Sequence, residues 1–547
     1  MPGGGTQSDE RRSSAASPQS YRCSHGNEAP SYAVPTCATC NIPLVNLVGT
    51  ANLDVNTASL PRISNGSESE CQPEVTDVPR SGGVSGPTTD GTGPGHAGDC
   101  GTTSGNHQAP SAASCQIYVT KVCRALIACG APTHRLEKYI YHTGHALNLQ
   151  PQSFYMPGCM MISFNNLPHE PIDFQIIRCS QSLNLAKLYD IHTVYKDVIH
   201  KRTSIEAAST RLDKILEQPE HFPLWSRVIS YGLASAFIGP VSYNAQPVDL
   251  PIIFILGTLI GFSELVLVPR SELYGYVFEI SAAILSSFLG RAFGSIRWGN
   301  NQSFCFSAIS QASIVMILPG FVITNSALEL QSNNMVSGAV RMVYGIVFTL
   351  FLAFGFTIGI SIYGAMDGAA TSATQCATTY PVWWQIAFVL PFTFCYIIVN
   401  KGRWSKMPAM LAISLAGWAV DHFSGNSFAA VPSLSQALGA LTVGVLANLY
   451  SRVERSMAIS LMHPAIFIQV PGSLAASGSL ISGLSNADQL TKGNNTGIDS
   501  HRDAITSELR AGMTMVEIGI AITVGLSVSV LLVYPIRKKD RSGIFSY

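Results

Sequence analysis

The residues best placed to do chemistry in this chain are polar groups embedded in apolar sequence. MILPGFVITNSALEL, Met316 to Leu330, interrupts an apolar run with Pro319 and Gly320 and follows them with Thr324, Asn325, Ser326 and Glu329. Proline removes a helix donor and clashes with the preceding turn, and glycine relaxes the backbone, so a helix breaks there. In lipid the freed amides and carbonyls must find protein, water or a solute. HPAIFIQVPGSLAASGSLIS carries a second break at Pro471 and Gly472, followed by Ser473 and Ser477. Superposing the two Pro-Gly pairs also superposes Ile314 on Ile466 and Leu328 on Leu480, and sets Asn325 opposite Ser477. The chemistry these groups suit is recognition of a polar solute by half-helix ends. The residues expected to line such a site are Pro319, Gly320, Asn325 and Ser326 on one side and Pro471, Gly472, Ser473 and Ser477 on the other.

Ionisable residues inside apolar runs are the next suspects, because each costs roughly 3 kcal/mol at a membrane centre. Glu279 and Glu517 are the deepest and are the first candidates for carrying a proton. Glu264 and Glu329 lie nearer run ends, where snorkelling explains them equally well, and Arg341 is available as a carboxylate's partner. His463, at the start of a run, reads as a hydrogen-bonded structural group. A further constellation, His134, Glu137, Tyr141 and His145, recurs at spacings of three to four and so shares one helix face. It has metal-ligand or acid/base side chains but no third ligand fixed in place, so it reads more simply as a solvated face. Cys37 and Cys40 form a lone CxxC without a second pair, and GTGPGH has no following helix to present amides to a phosphate. No metal site, cofactor or catalytic group is expected.

Membrane helices must position these groups. Of 547 residues, 47% are hydrophobic and 12% charged, against roughly a quarter charged in soluble proteins. The net charge of zero says nothing about partners. Residues 1–116 are rich in Ser, Gly, Thr and Pro and cannot bury enough apolar surface to offset ordering, so a disordered tail is expected. It opens MPGGGTQSDE without an apolar stretch, which predicts no cleavable signal and a cytosolic start. Thirteen Cys are scattered without a regular framework, and cytosolic thiols are usually reduced.

A helix needs about 20 apolar residues to cross the hydrocarbon core. Ten stretches qualify: Val228 to Tyr243, Leu250 to Val268, Gly275 to Phe293, Cys305 to Leu330, Ser337 to Tyr363, Val382 to Asn400, Met407 to Val420, Phe428 to Tyr450, Met457 to Leu484, and Ala511 to Ile536. Arg270, Lys401, Arg403, Lys406, Arg452, Arg455 and the basic residues after Ile536 fall in loops of one side, whereas NAQPVDL, GAMDGAATSATQCATTY and DHFSGNS lack Lys and Arg. By the positive-inside rule both termini are cytosolic. Arg291, Arg297, Lys492, Arg502 and Arg510 are exceptions, in two outer loops that also carry the N-x-S/T triplets at Asn301 and Asn494. The spans divide into halves over 227–363 and 382–536 with a basic terminus at 537–547. Five spans per half would invert one half relative to the other, with a break at the same ordinal place in each.

Residues 117–226 have globular composition. Their pattern of helix, helix, strand, strand, helix, helix predicts a small α+β domain on the cytosolic side, with a capping box from Thr203 to Glu206.

CGAPTHRLEKYIYHTGHALNLQPQSFYMPGCMMISF, then TSIEAASTRLDKIL, ILPGFVITNSALEL and VPGSLAASG, resemble the threonine/serine exporter family over about Ile117 to Ile536. The long tail and fused second half look most like its fungal branch, named for pheromone-regulated membrane proteins. The resemblance implies export of small hydroxylated amino acids or small carboxylates coupled to an ion gradient. It does not fix the substrate.

The expected protein is therefore an α-helical polytopic membrane protein of about ten spans in two halves, behind an α+β domain and a tail. It is expected to be a multi-pass secondary transporter, not an enzyme, with a small polar solute and protons as partners, no nucleic acid, and the plasma membrane or vacuole as alternatives. A membrane-anchored hydrolase or sensor acting through residues 117–226 is the competing class. Ten spans with matched breaks are more than an anchor needs.

Overall fold

The computed structural model describes residues 111–164, 173–298, 301–374, 376, 381–428, 430–454, 457–470, 480–481, 483–484 and 498–534. Residues 1–110 of the expected tail, the second break at Pro471 and Gly472, and Ser473 and Ser477 lie outside the described residues, and the last residues of the expected tail, from Ala112, are already helical.

The N-terminal unit runs α1 (Ala112–Ala128), α2 (Thr133–Ala146), β1 (Pro151–Met156), β2 (Cys159–Phe164), β3 (Asp173–Arg178), α3 (Leu185–Ile199) and α4 (Ile205–Glu217). The three strands form an antiparallel sheet in sequence order. FYMPGCMMISF, which supplies the first of the two strands that the sequence pattern predicts, is a hairpin of two strands that turns at Pro157 and Gly158, where Gly158 takes φ 81°. A left-handed residue costs glycine little and makes the tight return available. Tyr118, Val122, Leu126, Leu136, Ile140, Met160, Ile162, Ile191 and Leu212 fill the core between helices and sheet. The cap of α4 is Ser204, whose hydroxyl accepts the Ala207 N–H at 3.3 Å, one residue past the expected Thr203.

His192 of α3 is buried in this core between the rings of Tyr139 and Tyr195. Burial, helped by the cations Lys196 and Arg135, holds its imidazole well below the usual histidine range. The unfolded chain therefore takes up a proton near pH 6.5 that the folded domain refuses. Stability from this group is intact above that pH and falls by about 1.4 kcal/mol per unit below it. Thermal unfolding of the purified chain should drop between pH 7 and 5.5, and His192→Leu should flatten that drop; equal slopes would contradict the assignment.

Beyond Pro223 the described residues are mainly helical, with a short antiparallel pair of Arg297–Trp298 and Asn301–Gln302 between α7 and α8: α5 (Leu224–Ser242), α6 (Leu250–Phe262, continued by a π turn and a 3-10 turn to Arg270), α7 (Glu272–Gly294), α8 (Phe306–Ser313), α9 (Gly320–Gln331), α10 (Met335–Met366), α11 (Val382–Val399), α12 (Met407–Ser427), α13 (Pro432–Glu454), α14 (Ala458–Gln469) and α15 (Ile498–Val533). Each of the ten expected stretches contains helix. Five of these helices are long and apolar enough to cross a membrane: Leu250–Arg270, Glu272–Gly294, Met335–Met366, Val382–Val399 and Gly512–Val533. The pair α8 and α9, bent by 47° at its break, makes a sixth. The difference from ten lies in α5, α12 and α13, which are richer in small and polar residues, and in α14, which has only 12 residues. Small residues serve contact between helices rather than contact with lipid. Gly355 and Gly359 of α10 lie against Ala283 and Ser287 of α7, and Gly525 of α15 and Gly444 of α13 bring those two helices together in the same way.

The packing of the first five helical segments recurs in the second five. In the first, α5 lies on α6, α8 on α6 and α7, and α7 on α10; in the second, α11 lies on α12, α14 on α12 and α13, and α13 on α15. The first helices of the two sets, α5 and α11, pack on each other.

Cys305, just before α8, is disulfide-bonded to Cys376 in the α10–α11 loop. The Cys305 N–H also donates to the buried Asp249 carboxylate at 2.9 Å. Closing a loop across 71 residues is worth roughly 4 kcal/mol on chain-entropy grounds. Cys305→Ser should lower the unfolding midpoint accordingly, read under non-reducing conditions against wild type.

Candidate functional site

The first break is a true interruption. After α8 the chain makes a 3-10 turn over Val315–Ile317, Leu318 is extended, and α9 restarts with Pro319 as its N-cap. No side chain caps α9, so its first amides have no intrahelical acceptor. In the second set α14 ends at Gln469, with Val470 extended, immediately before Pro471. The two ends meet: a Cβ placed on Gly320 would lie 2.3 Å from Val470 Cγ1. The Phe321 ring lies 4.3 Å from that of His463, centroid to centroid. Gly320 is thus a position of close approach that admits no side chain.

Around this meeting point is a cavity of about 220 Å³, walled by the end of α5, the two broken segments, α12 and α13. Its polar lining includes Ser242 and Tyr243 at the end of α5, Asp421 and His422 of α12, Gln436 of α13 and Gln469 of α14. Gln469 is 2% exposed, yet among the described residues neither its amide nitrogen nor its oxygen has a hydrogen-bond partner. Gln436 Oε1 and the Tyr243 hydroxyl are buried and unpartnered as well. An unsatisfied buried polar group costs about 1–3 kcal/mol, so a cluster of them calls for a hydrogen-bonding occupant. Gly417 and Gly439 make the room: a Cβ on either would approach Gln469 Nε2 to 2.6 or 3.0 Å. His422 stacks on Trp418, with centroids 5.1 Å apart.

Of the residues expected from sequence, those that the structure describes are spread over several helices, and Gly320 is the one among them that lines the cavity. Gly320 lines it, with Pro319 beside it as the cap of α9. Asn325 and Ser326 lie further along α9; Ser326 is buried and its hydroxyl donates to Ile323 O at 2.7 Å. None of the four carboxylates Glu264, Glu279, Glu329 and Glu517 is among the described lining residues. Glu264 accepts the Tyr231 hydroxyl at 2.6 Å, and Glu517, on the exposed side of α15, accepts the Ser433 hydroxyl at 2.9 Å. Glu279 sits half-buried on α7. Asp421 and His422 escape a sequence reading because DHFSGNS looks like a loop after a span ending at Val420, whereas α12 continues to Ser427.

Glu329, at the other end of α9, joins this helix to the N-terminal unit. It is 2% exposed and accepts hydrogen bonds from Thr133 at the start of α2, from Ser337 at 2.5 Å and from Arg341 at 2.8 Å. Arg341 also donates to the Tyr155 hydroxyl and to Gln181, both at 3.1 Å. The unit reaches the second set of helices too. The Leu185 and Ala186 N–H groups donate to the carbonyls of Asn400 and Lys401, Lys401 pairs with Glu220 at 3.4 Å, and Arg403 pairs with Asp190. The basic α11–α12 loop is thus engaged by protein carboxylates.

On α2, Tyr141 and His145 are exposed and Glu137 accepts the Tyr155 N–H at 3.1 Å, tying the helix to β1. Among the described residues no group of three or more His, Cys, Asp or Glu is placed to hold a metal.

Residues 117–363 match the family model described as "ThrE: Putative threonine/serine exporter". The chain is 44% identical over 435 residues to an uncharacterized protein of Schizosaccharomyces pombe, covering 79% of this chain and 57% of that one. It is 44% identical over 435 residues to pheromone-regulated membrane protein 10 of Candida albicans, covering 79% and 39%, and 41% identical over 432 residues to the protein of that name in Zygosaccharomyces rouxii, covering 78% and 44%. The match thus spans about half the length of these relatives. No solved structure matches the chain.

Proposed function

We infer that this chain, whose residues 117–363 match the threonine/serine exporter family model, is a secondary transporter of a small polar solute held in the cavity between the start of α9 and the end of α14. The observation that carries this reading is the contact of Gly320 with Val470 beside the unpartnered carboxamide of Gln469. Half-helix ends converging from two repeats on a polar cavity are how transporters build a binding site in a membrane.

The reading has three further parts. The two sets of five helices form an inverted repeat whose relative rocking opens the cavity to alternate sides, supported by their recurring packing. Protons couple the movement. The N-terminal unit faces the cytosol and regulates the inner opening, supported by its simultaneous hold on Glu329 of α9 and on Lys401 and Arg403 before α12. The Cys305–Cys376 disulfide fits an outer, oxidising side for the α10–α11 loop. A small amino acid such as threonine or serine, or a small carboxylate, is the proposed cargo. The hydrolase reading is less favoured, because Glu137 already serves the fold.

The test is uptake and efflux of a labelled panel of amino acids and dicarboxylates in proteoliposomes, with and without an imposed proton gradient. Flux of at least one solute that responds to the gradient is expected. Absence of flux for every member would remove the transporter assignment.

A further inference from the structure

The cavity lining is electrically divided. One charged carboxylate, Asp421, lies in it, with the Ser435 hydroxyl beside that carboxylate and His422 next along α12. Elsewhere in the lining Gly320 and Phe321 begin α9, whose uncapped amino end presents free N–H groups and the positive end of the helix dipole. Such an end favours an anion, and a carboxylate favours a cation. The lining also holds the carboxamide of Gln469, unpartnered among the described residues and able to donate and accept, and the unpartnered Oε1 of Gln436, which can accept. A Cβ added to Gly439 would lie 3.0 Å from both Asp421 Cβ and Gln469 Nε2, so these two lining residues are neighbours across that glycine. A cavity of about 220 Å³ is below the usual range of roughly 300–1,000 Å³ for drug-sized ligand pockets, so it suits a small solute.

We propose that this cavity sorts the two charges of a zwitterionic α-amino acid: Asp421 receives the ammonium group, the amino end of α9 receives the carboxylate, and Gln469 and Gln436 take the remaining polar atoms. This rests on the transporter reading and gives it a binding mode. Of the titratable groups among the described lining residues, Asp421, His422 and Tyr243, Asp421 is the anion suited to an ammonium group. A ligand lacking either charge leaves a buried partner unsatisfied, which is the strongest kind of discrimination a site offers.

The test uses the purified full chain and three probes: L-serine, ethanolamine without the carboxylate, and glycolate without the ammonium. L-Serine is expected to bind about tenfold or more tightly than either of the others. Asp421→Asn should weaken L-serine by roughly 10- to 100-fold and leave glycolate unchanged. Gly439→Ala, which crowds both Asp421 and Gln469 without altering charge, should weaken L-serine as well. If Asp421→Asn does not survive purification, the wild-type ranking of the three probes and Gly439→Ala decide. Unchanged L-serine binding by Asp421→Asn, or glycolate binding as tightly as L-serine, overturns the proposal. So does a loss that falls equally on L-serine and glycolate. A wild-type protein that carries a dicarboxylate but binds no amino acid would overturn this assignment and leave the transporter intact; one that carries nothing would remove both.

Discussion

Gly320→Ala is expected to reduce flux severely, and Val470→Ala in the same chain is expected to restore it. The added methyl would sit 2.3 Å from Val470 Cγ1, closer than any real Cβ contact, and Met515 Cε at 3.5 Å closes the space beside it. Overpacking of this kind costs roughly 1–3 kcal/mol. Imposed on a step that must repack the junction of the two breaks, that is roughly 5- to 150-fold in rate. Val470 stands immediately before Pro471 and is β-branched, so it has little freedom to rotate away. Proteoliposome exchange measured on wild type, the single variants and the pair decides the matter. Normal flux in Gly320→Ala would show that the contact does not matter to transport. Failure of the pair to recover would place the defect in α9 itself.

Arg341→Ala is expected to destabilise the protein by about 3–5 kcal/mol, the cost of stranding a buried carboxylate when its cation is removed. Glu329 is 2% exposed, so it cannot turn to water, and the loss also releases Tyr155 and Gln181. Adding Glu329→Gln removes the stranded charge while keeping groups able to meet Thr133 and Ser337, and should recover most of the stability. A denaturation series on the two single variants and the double variant reads this directly. A double variant no more stable than Arg341→Ala would mean that packing, not charge, sets the cost. The same variants probe regulation, because α9 is about 18 Å long and spans from the cavity at Gly320 to the N-terminal unit at Glu329. Loosening one end should change exchange rates at the other.

Much of the fold is legible in the residues in order. Apolar runs separated by polar loops place helix in each of the ten expected stretches, although only five helices, or six with the bent pair, are long and apolar enough to span, and Pro319 with Gly320 predicts the break because proline and glycine act on the backbone where they stand. The β-branched and apolar stretches of the N-terminal unit predict its sheet, although the hairpin at Pro157 and Gly158 was concealed by continuous apolar sequence on both sides. These are local effects, and local effects survive in a one-dimensional reading.

The cavity is a different matter. Asp421, Gln436 and Gln469 lie on three helices, and each looks like an ordinary polar residue near a helix end. They become a site because Gly417 and Gly439 let those helices approach, and because the resulting wall leaves Gln469 buried without a partner. Glu329 reads as a candidate proton carrier until α2, 196 residues earlier, brings Thr133 against it. Cys305 and Cys376 pair only when the α10–α11 loop folds back over the start of α8. The sequence by itself determined which segments are helical, which are apolar and where one of them breaks, since backbone preference and hydropathy belong to short stretches. Which polar groups face one another was decided by tertiary packing, because desolvation and hydrogen-bond satisfaction depend on neighbours far away in the chain.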